Sequence, residues 1–114
     1  MLKLVTVAAI ASALVATSAF AQEQDPSASQ AQDLTNCAGA VAAYGNLDVL
    51  AYPRGASGEW AVVLGSILTR LNREPGVEGM TGRYAASAAR SYWSEQPRAA
   101  QQTAATQCRS RYAE

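Results

Sequence analysis

Histidine is absent from all 114 residues, and the single lysine, Lys3, stands almost at the start of the chain. Without imidazole there is no Ser-His or Cys-His nucleophile pair and no histidine acid-base group. Beyond Lys3 there is no amine for a Ser-Lys dyad or a Schiff base. Cysteine is confined to Cys37 and Cys108, with no CxxCH for covalent haem. Zinc would find neither imidazole nor, if the two cysteines are bonded, a thiolate. Glycine-rich phosphate loops are also missing: Gly76, Gly79 and Gly82 have the wrong spacing and follow no strand. Carboxylates remain, but Asp48, Glu59, Glu74, Glu78 and Glu95 are scattered along the chain and read as solvated surface. The expectation is a protein that is not an enzyme and carries no metal or cofactor.

Long apolar runs are scarce too, and the one present is at the start. Residues 1–21, MLKLVTVAAIASALVATSAFA, carry one positive charge, an apolar stretch, and Ala19-Phe20-Ala21 before Gln22. Small residues at the −3 and −1 positions mark a secretory signal cleaved after Ala21. The stretch is short, is broken by Thr6, Ser12, Thr17 and Ser18, and has no basic stop beyond it, which disfavours a retained anchor. No later segment is long and apolar enough to span a bilayer. The expected destination is periplasmic or secreted.

The 93 residues from Gln22 to Glu114 carry eight Arg against nine Asp and Glu, a net of about −1. That balance disfavours nucleic acid, whose partners present a basic face. Abundant alanine and few β-branched runs favour helix. Residues 22–32 are polar, contain Pro26, lack any large apolar residue, and read as a disordered lead-in to a single helical domain over 33–114.

Within that domain the clearest element is Gly58 to Arg73. Trp60, Val63, Leu64, Ile67, Leu68 and Leu71 recur at the 3/4 spacing of a helix face. Ser57 or Gly58 suits the N-cap, and Pro75-Gly76 suits the centre of a type II turn just beyond the helix. A first helix is predicted over about 33–44, with Leu34, Cys37, Val41 and Tyr44 on one face and Gly45 ending it in the left-handed conformation. Leu47 to Tyr52 reads as a short helical turn under the domain, and Tyr52-Pro53-Arg54-Gly55 as a type I turn. A third helix, about 77–94, has a main inward face of Val77, Met80, Tyr84, Ala88 and Tyr92. A second line of Gly82, Ala86, Ala89 and Trp93 lies nearly opposite, where small residues allow close approach of another backbone, so that this helix reads as sandwiched. Pro97 opens a fourth helix, about 97–112, with a thin stripe of Ala100, Ala104, Cys108, Arg111 and Tyr112.

In an oxidising compartment an even pair of cysteines reads as a disulfide. With four helices alternating up and down, the start of the first and the end of the fourth meet at one end. A Cys37–Cys108 bridge therefore closes a small all-α, up-down-up-down four-helix bundle. Tyr and Trp are interleaved with Arg, the residue types enriched at interface hot spots. Trp60, Tyr84 and Tyr92 read as core. Tyr52 and Arg54 in the longest loop, with the off-face Trp93, make the candidate interaction residues. The functional expectation is a non-enzymatic envelope protein that docks an unidentified partner protein through the 47–57 loop, as inhibitors and immunity proteins do. The alternative is a periplasmic stress chaperone or apolar-ligand carrier, which acid would make expose apolar surface as nine carboxylates lose their charge.

Overall fold

The computed structural model describes residues 26–113; the leader and residues 22–25 of the lead-in lie outside them. Among the described residues there are four helices and no strand: α1 (Pro26–Gly45), α2 (Glu59–Leu71), α3 (Gly79–Ser94) and α4 (Arg98–Tyr112). The fold is all-helical, and Cys37 is bonded to Cys108, with Cα atoms 5.5 Å apart.

The hub is α1, which touches each of the other three helices. Leu34, Cys37, Ala38, Ala40, Val41 and Ala42 are all wholly buried. A helix without polar residues around its whole circumference has to be enclosed, and Cys37 to Ala43 contains none. Residues 26–32 are helical rather than part of a disordered lead-in. A proline suits the first helical turn, and no glycine or proline interrupts the path from there to the anchored stretch. At the other end Gly45 stays helical, and Asn46 takes the left-handed conformation (φ 56°) expected of the glycine. A Cβ on Gly45 would stand 3.0 Å from the Cβ of Trp60. The glycine thus serves close approach, and asparagine, which tolerates that conformation, makes the turn.

The second helix follows the sequence expectation. Gly58 is its N-cap, Glu59 lies in the first turn and Arg70 in the last. Val63, Leu64, Ile67, Leu68 and Leu71 are buried together. Each such side chain contributes about 1.5–3 kcal/mol relative to exposure. Trp60 is only half-buried, packed edge-to-face on Tyr44 at 5.3 Å. The Pro75-Gly76 turn forms as expected, with Gly76 at φ 88° and Val77 N–H donating to Glu74 O.

The 46–57 connection differs in register from the sequence reading. Leu47 and Val49 are buried beneath the domain while Leu50 is exposed. The Tyr52–Pro53 bond is cis. Two overlapping turns replace the single one, with Arg54 N–H donating to Ala51 O and Ala56 N–H to Pro53 O.

Helix α3 is turned about half round from expectation. Gly82 and Ala86 are buried, whereas Met80, Tyr84, Ala88 and Tyr92 face out. The reason is the closeness of α1: a Cβ on Gly39 would lie 2.6 Å from backbone atoms of Ala89 and Arg90. Only the small line fits such a crossing, so the tyrosines are excluded by space.

In α4 the inward residues are Gln101, Ala105, Cys108 and Tyr112. Ala100 and Ala104 are half-buried, and Arg111 is exposed. The stripe shifts by one because Gln101 has work inside: its Nε2 donates to Trp93 O (2.9 Å) in the last turn of α3 and to Gln96 O (3.1 Å) just beyond it. Near its end α4 is tied to α1 by the Tyr112 hydroxyl, which donates to Asp33. Burial first, then that bond and the carboxylate charge, pushes the Tyr112 hydroxyl from 10.0 up to about 12. The folded protein holds this proton more tightly than the unfolded chain. The associated stability is complete below pH 10 and is lost as pH rises toward 12, on the order of 2 kcal/mol. Urea midpoints measured from pH 9 to pH 12 should fall in that window, and Tyr112→Phe should flatten the fall.

Candidate interaction surface

Two arginines of α3 decide how the 46–52 connection sits. Arg83 Nη1 donates to Val49 O (3.1 Å) and Tyr52 O (2.5 Å). Two turns on, Arg90 Nε donates to Leu47 O (2.6 Å) and Nη2 to Asn46 Oδ1 (3.4 Å). Half-buried guanidinium groups thus satisfy carbonyls that no helix or strand would reach. The connection is held to α3 as a rigid ledge rather than hanging as a loop.

Tyr52 takes part in the same construction. Its hydroxyl donates to Ala61 O (3.0 Å), its ring packs on Gly65, and Arg83 stacks over it with 5.8 Å to the centroid. Arg54, two residues on, is exposed at the tip of the connection. Trp93 sits elsewhere. Its Nε1 donates to Asn36 Oδ1 (2.9 Å), and its ring meets Tyr92 edge-on at 5.4 Å. Ten residues separate Trp93 from the Arg83 that covers Tyr52, about 15 Å along the helix. Tyr52 and Trp93 are therefore pegs in two different contacts, both half-buried, and of the three only Arg54 is exposed.

The outward line of α3 is the larger exposed feature. Met80, Tyr84 and Tyr92 are 49 %, 61 % and 57 % exposed, with Ala88 between the two tyrosines. At the i, i+4 spacing these four lie along one side for about 18 Å. Arg83 and Arg90, the charged residues of α3, lie on the flank and hold the ledge, so the line itself carries no charge. The sequence shows this line at the right spacing, but its direction depends on the Gly39 crossing.

Among the described residues no group of three or more His, Cys, Asp or Glu comes together as a metal site. No helix among them is long and apolar enough to cross a membrane. The disulfide and that helix content are compatible with an extracellular or periplasmic location. The class defined is a disulfide-closed, all-helical small domain with one uncharged tyrosine face. No protein-family model, curated protein or solved structure matches the chain.

Proposed function

We propose that this is a small exported, non-enzymatic envelope protein that acts by docking another protein, as inhibitors and immunity proteins do. The observation that carries the reading is the outward line of α3. Met80, Tyr84 and Tyr92 add nothing to the core, yet they stand exposed in register on a rigid helix. Tyrosine provides large contact area for little lost side-chain entropy, and charge is depleted at the centres of interfaces. An exposed apolar line of this kind marks an interaction site more often than chance surface. Arg54 extends the rim from the neighbouring ledge.

A photo-crosslinking residue at position 84, with one at exposed Gln102 of α4 as control, tests this in exporting cells. One protein should be joined at position 84 and not at 102, and Tyr92→Ala should abolish the product. Tyr92→Ala should leave stability within about 0.5 kcal/mol, since its side chain is mostly exposed. Equal crosslinking at both positions, or none at position 84, would reject the reading.

A further inference from the structure

A cleft of about 480 Å³ opens between the outer side of α2 and the start of α3. Leu68, Leu71 and Val77 form its apolar side, and Tyr52, resting on Gly65, forms one wall. Arg73, Arg83, Thr69 and Asn72 form the polar side. A second hollow shares Tyr52, Gly65, Thr69 and Arg73, and extends along α2 to Ser66 and Arg70. Among the described residues, no carboxylate lines either part.

The charges of this cleft differ from those of Arg109 and Arg111 at the end of α4. Arg109 is paired with Glu59 at 2.7 Å and Arg111 with Asp33 at 3.5 Å. The Arg73 side chain makes no hydrogen bond or ion pair among the described residues. Arg83 is fixed by two carbonyls, which orient its guanidinium without offsetting its charge. The nearest carboxylates in sequence, Glu74 and Glu78, belong to the turn outside the lining, where Glu78 Oε1 accepts from Gly76 N–H. An arginine immobilised before its ligand arrives loses little entropy on binding, and its planar fork matches a carboxylate. The volume falls in the range of small-molecule sites. An inorganic anion would leave Leu68, Leu71 and Val77 unused.

We propose that this cleft binds an organic carboxylate with an apolar tail, its head taken by Arg73 and Arg83 and its tail laid along Leu68, Leu71 and Val77. None of Met80, Tyr84, Ala88 and Tyr92 lines the cleft, and so the site goes beyond the docking role and does not depend on it.

Amide NMR of the disulfide-intact protein, titrated with sodium hexanoate, tests this. Saturable shifts are expected at Gly65, Thr69 and Gly79, with hexanol and inorganic phosphate each at least about tenfold weaker. Arg73→Gln, a change at an exposed position, should weaken hexanoate about tenfold while leaving the melting midpoint unchanged. Hexanol binding as tightly as hexanoate would overturn recognition of the charge, and phosphate doing so would overturn the role of the apolar side. Shifts confined to Tyr84 and Tyr92, or no saturable shift, would overturn the site itself.

Discussion

Replacing both Cys37 and Cys108 by alanine is expected to lower stability by about 4 kcal/mol. The bond joins residues 71 apart, so its removal releases most of the domain to the unfolded ensemble. In the chain-entropy account a loop of that length gives roughly this figure. A small domain has about 5 kcal/mol or little more to lose. Alanine is the right replacement because both sulfurs are buried, and serine would leave a hydroxyl to satisfy.

The loss should not be uniform. Helix α4 turns inward only Gln101, Ala105, Cys108 and Tyr112, whereas α2 buries five large aliphatic side chains. Without the bond, α4 keeps the exposed Arg109–Glu59 pair and the Gln101 bonds, each worth about 1 kcal/mol or less, and the Tyr112–Asp33 contact, worth on the order of 2 kcal/mol. Hydrogen exchange under reducing conditions should therefore speed up first from residue 98 onward, while α2 stays protected. Equal loss in α2 and α4, or no change in either, would contradict this order. Arg111, whose Nη2 lies 3.3 Å from the Cys37 sulfur, partly covers the bond, so a reductant should need the helix end to fray.

How much of this was legible in the sequence depends on whether large or small side chains carried the information. The α2 stripe was readable because leucine and isoleucine at helical spacing leave one solution for which face turns inward. The pairing of Cys37 with Cys108 followed from chain direction and compartment. For α3 the sequence shows a small-residue line suited to close backbone approach, which is where α1 packs, but the larger line of Met80, Tyr84 and Tyr92, read as the main inward face, turns out to solvent. The winning line, Gly82, Ala86 and Ala89, is inward because α1 comes too close for anything larger. The signal existed in Cys37-Ala-Gly-Ala-Val-Ala-Ala, a stretch with no polar residue, which marks a helix enclosed on all sides. The extension of α1 to Pro26 was hidden because the polar residues there have no apolar stripe of their own.

The same reasoning explains the candidate sites. Arg83 and Arg90 are seven residues apart, which places them on one side of α3, but their targets are backbone carbonyls that no side-chain pattern announces. Tyr52 stands out in the sequence by its place in the longest loop, and Trp93 by lying off the main stripe of its helix. Their partners, Ala61 O and Asn36 Oδ1, lie on other elements, so only the fold could show that they are internal contacts.

The second large effect is expected at Gly39. Gly39→Ala should destabilise the protein by about 3 kcal/mol, although alanine is normally better in a helix by up to about 1 kcal/mol. The added Cβ would lie 2.6 Å from the carbonyl carbon of Ala89 and from the Arg90 nitrogen, closer than any real contact. Backbone cannot rotate away as a side chain does, so α1 and α3 would have to separate. Separation would stretch the Arg90–Leu47 and Trp93–Asn36 bonds, carrying the disturbance into the 46–52 ledge and the end of α3. The Ala89 methyl also stands in the way, which permits a discriminating variant. Gly39→Ala combined with Ala89→Gly removes that methyl but leaves the two backbone atoms in place. Urea unfolding followed by tryptophan fluorescence should show that the double variant recovers less than a third of the loss. Full recovery would mean that two methyl groups, not the backbones, set the spacing, and that the outward turn of Tyr84 and Tyr92 has another cause.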